Sequence, residues 1–426
     1  MLPKCVKLLD HYMGDEHDNP YLVDATHKPP DPGFNTGADP VNFELALQTA
    51  IQKSPRPELA TLLHRTVKPG KPAIPDVQSF SDLDNSPYKL SIGIADMTGD
   101  PTDPNSKFNK PMYAAHFDRE SIYPASLAKL TVIYALHQLK YDAAQKATTA
   151  PASMQGNKAK LTQWVFDSLH ADWTAKGLKR SRQPVMQDLL VADAAGKTMV
   201  FTPLCIANMR HITHPDNFDV AGINEMNNAM TALITSVHAS YMGSVFLQSG
   251  HCKEDQGGMW VYSAWGEKWN CDGGVPQLYP KQPGTEVMAW SAARCVALLG
   301  QERLVSPSIS KELKTVLADG DTGWGKGGLK KVLPASELAT LNTWGKEGAW
   351  GGFASDALYI ERTNSAGKTY RYAVACLLSS TAPASSYPVA QAETDPVSRA
   401  TWDVLLKAIV ESIIPALDGV IVGNNP

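Results

Sequence analysis

Cysteine is scarce in this chain, neither sign of charge dominates, and no apolar run is long enough to cross a bilayer. Six cysteines in 426 residues, Cys5, Cys205, Cys252, Cys271, Cys295 and Cys376, are too few to staple a chain of this length. Their spacing fits no zinc pattern either, so neither a disulfide framework nor a structural zinc site organises the fold. Cys252 and Cys271 flank a Gly/Trp-rich loop and are candidates to pair, whereas Cys295 and Cys376 sit in apolar runs that read as core. With 39 Lys and Arg against 43 Asp and Glu, the net charge is −4, and there is no basic footprint for nucleic acid. The short cluster Lys176, Lys179, Arg180 and Arg182 reads as a solvated loop. No integral membrane segment is expected, and Met1 to Met13 lacks the unbroken apolar stretch of a secretory signal. His116, His170, His211 and His214 have no cysteine or carboxylate set at ligand spacing around them, so neither a metal nor a cofactor is expected.

Residues 1–40 are rich in Pro, Asp, His and Gly without periodicity and read as an irregular arm. Apolar spacing over Asn42 to His64, interrupted at Pro55 and Pro57, predicts one broken helix or two short ones. Alternation at Leu90, Ile92 and Ile94, a turn at Thr98-Gly99-Asp100, and a second run from Met112 to Phe117 predict a strand pair. Helical spacing follows near Leu161 to Leu169, over Ile223 to Leu247 and over Glu286 to Leu299, the last two separated by a Gly/Trp/Pro-rich loop from His251 to Pro283. Ala357 to Ile360 and Tyr370 to Leu378 read as strands joined by a turn at Asn364-Ser365-Ala366-Gly367. Asp395-Pro396 opens a closing amphipathic helix through Ile413. The expected fold is α+β: an antiparallel sheet flanked by helices in an α-β-α sandwich, plus an all-helical lobe. The α/β part is expected over about 41–125 and 335–426, and the helical lobe over about 126–334.

The segment Tyr123-Pro124-Ala125-Ser126-Leu127-Ala128-Lys129 opens an apolar-periodic helix through Leu130, Ile133, Leu136 and Leu139. A serine at a helix start meets unpaired N–H groups that favour developing negative charge, and a lysine one turn along lies on the same face. Ser126 is thus a candidate nucleophile and Lys129 a candidate base, since desolvation of an amine favours its neutral, proton-accepting form.

This Ser-x-x-Lys tetrad, with the order of the segments around it, resembles the β-lactamase and penicillin-binding-protein superfamily of serine hydrolases, across roughly residues 88–417. The resemblance implies a second motif, Ser-x-Asn or Tyr-x-Asn, between two helices. Ser236-Val237-His238 is its best match, followed by the small-and-apolar segment Ala239 to Gly250 that resembles class A β-lactamases. Ser236 would relay a proton, and His238 would stand where the family has an amide, as a group able to donate or accept. Ser240 and Tyr241 are the fallback positions.

A third motif, Lys-Thr-Gly or a relative, is implied on a strand lining the site. Lys346-Glu347-Gly348 precedes the paired strand signals as required, whereas Lys326-Gly327 does not. Lys346 would hold the relay serine and any anionic part of the substrate, Gly348 would admit substrate to the strand edge, and the backbone N–H groups of Ser126 and Ala349 would form an oxyanion hole. Glu347 replaces a hydroxyl that binds the substrate carboxylate in the family, so penicillin-like ligands are expected to bind poorly. Glu254 and Glu267 lie in the loop where class A enzymes carry a deacylating glutamate, and neither is placed in the catalytic set.

The activity so implied is acyl-enzyme hydrolysis of an amide or ester bond in a small-molecule or peptide-like substrate. β-Lactam hydrolysis is the alternative within the class, and a penicillin-recognition-like sensor with little turnover is the alternative outside it. The family usually works outside the cytoplasm, which favours a periplasmic or secreted location.

Overall fold

Alternation at Leu90, Ile92 and Ile94 becomes strand β1 (Tyr88–Asp96), where these three residues and the intervening Ser91 and Ala95 are all buried. A strand buried on both faces belongs inside a sheet, with neighbours on each edge and cover above and below. The computed structural model describes residues 88–120, 122–178, 183–214, 220–253, 287–318, 333–350 and 353–380, with short pieces at 34, 66–67, 83–84, 180, 257–259, 261 and 329–330. With β1, strands β2 (Met112–His116), β3 (Asn342–Trp350), β4 (Phe353–Thr363) and β5 (Thr369–Ser380) form a five-stranded antiparallel sheet of order β2-β1-β5-β4-β3.

Helices α1 (Ala128–Thr148), α2 (Lys158–Ala175), α3 (Pro203–Thr213), α4 (Val220–Val237), α5 (Ala239–Gln248), α6 (Ala289–Gly300) and α7 (Pro307–Val316) complete a mixed α+β architecture. The chain divides into two compact units. The sheet unit takes Asp31–Leu127, Glu286–Gln301 and Leu317–Pro426; the helical unit takes Ala128–Thr285 and Glu302–Val316, with Met1–Pro30. The sequence reading grouped all of 126–334 in the helical lobe, but α6 joins the sheet. Every residue of α6 is buried, and the helix packs on β1, β4 and β5. A helix that is buried on every side has to be enclosed, and a sheet face covers one side of it.

The expected β4–β5 hairpin pairs from Phe353↔Ser379 to Thr363↔Thr369. Its turn is closed by Asn364, whose Oδ1 accepts from the N–H groups of Ala366 and Lys368, with Gly367 at φ 78°. β3 is the edge strand beside β4, and it positions the site.

In the helical unit α1 is the central element, with Leu130, Val132, Ile133, Tyr134, Ala135, Leu136 and Leu139 all buried. It packs on α2, α3, α4, α5 and α7 and on the second of two short paired strands, Leu190–Ala192 and Met199–Phe201. The helical spacing over Ile223 to Leu247 resolves into two helices, α4 and α5, that meet at His238, which adopts φ 69° between them. Cys205, Cys295 and Cys376 are buried free thiols, and Cys252 is disulfide-bonded. Cys271, the expected helix over Asn42 to His64, the closing helix from Asp395 and nearly all of the N-terminal arm lie outside the described residues. Among the described residues no single helix is long and apolar enough to cross a membrane.

Candidate active site

Pro124 begins a tight 3₁₀ turn, Ala125–Leu127, that leads directly into α1. Ala125 sits at φ 48°, the left-handed region that a residue with a Cβ occupies at a cost of about 1–2 kcal/mol, so its surroundings must hold it there. They do so through the backbone. Pro124 O accepts from Leu127 N at 3.1 Å and from the hydroxyl of Ser355 on β4 at 2.5 Å, and Ser355 is fully buried. Ser126 follows Ala125, half-buried at the apex of this turn. Strained backbone of this kind concentrates where a side chain must be presented in one orientation.

Gly348 on β3 lies flush against the turn. A Cβ there would fall 2.5 Å from Leu127 N and Pro124 O and 2.6 Å from Ser126 N, all rigid backbone atoms. The edge strand and the serine turn therefore touch through main chain, and only glycine fits.

Register fixes what the edge offers. In an antiparallel strand both polar groups of a residue point to one side and those of the next residue to the other. Gly345 N donates to Leu317 O at 2.9 Å, away from β4, so Glu347 and Ala349 direct their N–H groups to that same outer edge. The turn that carries Ser126 lies against this strand at Gly348.

Lys346 shares the sheet face of Gly348 and is buried. Its ammonium is taken up by its own neighbour: Nζ lies 2.8 Å from Glu347 Oε1 and 3.1 Å from Glu347 O. The pleat starts the Glu347 side chain on the opposite face, and its carboxylate meets the ammonium at the strand's outer edge. The repulsive carboxylate anticipated from the sequence is thus already half of an ion pair.

Lys129, three residues after Ser126, lies in the first turn of α1 with 0% exposure and is grouped with the helical unit. Ser236 and His238 also belong to that unit. Ser236 lies in the last turn of α4, its hydroxyl 3.4 Å from Asp188 Oδ2 on the one-turn helix Met186–Leu189, and its carbonyl accepts from Val185 N at 2.8 Å. His238 N donates to Ile234 O at 2.9 Å, and its carbonyl accepts from Met242 N at 3.2 Å, so its backbone stitches the two helices. The fallback Tyr241 is fully buried and donates to Asp142 Oδ2 at 2.6 Å; burial and the Asp142 charge hold its hydroxyl pKa well above the ordinary tyrosine value. That geometry makes Tyr241 a core residue of the helical unit. The side chain of Ser240, and Glu254, Glu267, Lys326 and Gly327, lie outside the described residues.

Asp188, Ser355 and the conformation of Ala125 went unnoticed in the sequence. Ser355 had a usable signal, since the β3–β4 hairpin register sets it opposite Gly348. The left-handed Ala125 and the distant carboxylate of Asp188 had none. Among the described residues no group of three or more His, Cys, Asp or Glu side chains is placed to hold a metal. His170 instead bonds Gln183 Oε1 through Nδ1 at 2.7 Å, and burial lowers its pKa.

No protein-family model matches the chain, and no curated protein matches it. Solved structures similar to it include the β-lactamase from Sphaerobacter thermophilus DSM 20745, at 13% identity and TM-score 0.44, covering 88% of this chain and 97% of that one. PBP-A matches at 11% identity and TM-score 0.44, over 88% of this chain and 96% of that one. A representative of class A β-lactamase from Bacteroides cellulosilyticus DSM 14838 matches at 13% identity and TM-score 0.42, over 87% and 98%. The α+β assignment rests on this chain's own strand order and registers.

Proposed function

We propose that the chain is a serine hydrolase that forms an acyl-enzyme on Ser126 and cleaves an amide or ester bond. The observation that carries this reading is the strained turn. A left-handed Ala125 presents a half-buried serine at a helix start, and main-chain contact holds the turn against an edge strand with outward N–H groups.

In the proposed reaction Ser126 Oγ attacks the carbonyl carbon while its proton passes to Lys129 Nζ, and the carbonyl π pair moves onto oxygen. The N–H groups of Ser126 and Ala349 stabilise that oxyanion; each such donor is typically worth about 3 kcal/mol. Collapse re-forms the carbonyl and breaks the bond to the leaving group, which takes up a proton. Water then attacks the acyl-enzyme, releasing the acid and the serine. Ser236 is proposed to return the proton to the leaving group, with Asp188 orienting its hydroxyl.

The test is labelling by a broad alkyl fluorophosphonate, with the modified residue mapped by mass spectrometry. Ser126 is expected to be modified in the native protein and to slow by about a hundredfold or more in Lys129→Ala. An unmodified Ser126, under conditions that modify a control serine hydrolase, would sink the proposal and move the search to a ligand-binding role. Stable acylation by a substrate, with no recovery of free serine, would mark a sensor.

A further inference from the structure

We propose that this site selects uncharged acyl donors and discriminates against those carrying a carboxylate near the scissile bond. The cation on its edge strand is already neutralised from within the strand. The inference rests on Ser126 being the nucleophile, and its test separates the two.

Lys346 is 5% exposed and Glu347 21%, and the ammonium is held by both the carboxylate and the carbonyl of the same residue. Both partners are consecutive residues of β3. Two residues along a strand span about 7 Å, which brings the pair within reach of an acyl substituent at the Gly348 contact with the serine turn. A carboxylate arriving there would have to displace Glu347 from Lys346. It would exchange one charge-assisted contact for another, with the displaced carboxylate left beside it. An uncharged acyl group meets no such exchange. Selectivity then comes from a repulsive element as much as from an attractive one.

Two short-chain fluorophosphonates of equal length, one ending in methyl and one in carboxylate, test this through their second-order rates of Ser126 modification, followed by intact mass. In each reaction a P–O bond to Ser126 forms as the P–F bond breaks, fluoride leaves, and the serine proton passes to the base. The methyl-ended probe is expected to react roughly tenfold faster or more with the native protein, about the worth of one charge-assisted hydrogen bond. Glu347→Gln frees Lys346 and is expected to narrow or reverse that ratio. Lys346→Met removes the ammonium, keeps the Glu347 carboxylate, and is expected to keep the preference for the uncharged probe. Equal or faster reaction of the carboxylate probe with the native protein overturns the inference, as does a ratio unmoved by Glu347→Gln or lost in Lys346→Met. If neither probe modifies Ser126 while a control hydrolase is modified, the nucleophile assignment fails and the inference falls with it.

Discussion

Two glycines separate what the serine turn requires from what any turn requires. Gly348 has ordinary strand geometry but no room, with three backbone atoms inside 2.7 Å of a virtual Cβ. Gly367 has open space but a φ of 78°. Gly348→Ala is expected to destabilise by about 1–3 kcal/mol through overpacking that no rotamer change can relieve. It should also slow Ser126 labelling by about a hundredfold, because a misplacement of the order of 1 Å is enough for that. Gly367→Ala is expected to cost about 1–2 kcal/mol of backbone strain and to leave labelling at the native rate. Urea denaturation and labelling rates on the two variants check both. Equal labelling rates in the two would mean that the Gly348 contact serves packing alone.

Between elements, the link from β4 to the serine turn runs through one hydroxyl, Ser355 to Pro124 O, across 231 positions of sequence. Ser355→Ala is expected to lower stability by about 0.5–1.5 kcal/mol, modestly because Pro124 O keeps Leu127 N as donor. Labelling should slow at the same time, since Ala125 loses a restraint on its left-handed conformation. A stability loss with unchanged labelling would show Ser355 to be a packing residue only. Legibility follows the same division. Strands β1, β4 and β5 were readable because Leu90, Ile92, Ile94 and the run from Tyr370 to Leu378 carry a local signal, and Asn364-Ser365-Ala366-Gly367 marks its own turn. Apolar spacing alone does not mark the helix junction at His238, since it continues on both sides; only the motif Ser236-Val237-His238 points to it. The short strands Leu190–Ala192 and Met199–Phe201 are too brief to show a period. Ser126 is singled out by its spacing from Lys129, and Gly348 and Lys346 by the resemblance alone, but the closure of Lys346 on Glu347 depends on side-chain paths around a strand edge that no pattern of letters encodes.

At the scale of the whole fold, the clearest acid sensitivity among the described residues comes from His137 on α1. It is fully buried, its Nδ1 is 2.8 Å from Ile133 O, and desolvation lowers its pKa from 6.5 to about 4. The folded state therefore resists a proton that the unfolded chain accepts near 6.5. Its stabilising contribution is complete above that pH and is lost progressively as pH falls from about 6.5 towards 4, by about 3 kcal/mol in total. Asp96 and Asp118 have carboxyl pKa values raised by burial and act in the opposite sense, so the histidine term is read as a difference. Urea denaturation of native protein and His137→Leu between pH 7 and 4 is expected to show a shallower acid decline in the variant. Parallel curves would assign the decline elsewhere.

The position of β3 at the rim of the sheet has a consequence for colloidal behaviour. Leu317 and Ala318 cover the rim at Trp344 and Gly345, and the serine turn lies against it at Gly348. The stretch between them belongs to an edge strand, the kind of element on which a second polypeptide can add as a further strand. Lys346 and Glu347 bring an ion pair to that stretch, and a dry strand-to-strand seam would have to strip the remaining water from the Glu347 carboxylate. The charge selection proposed for this strand and its resistance to strand addition then rest on the same two residues, and light scattering of Lys346→Val/Glu347→Val is expected to show more self-association than the native protein.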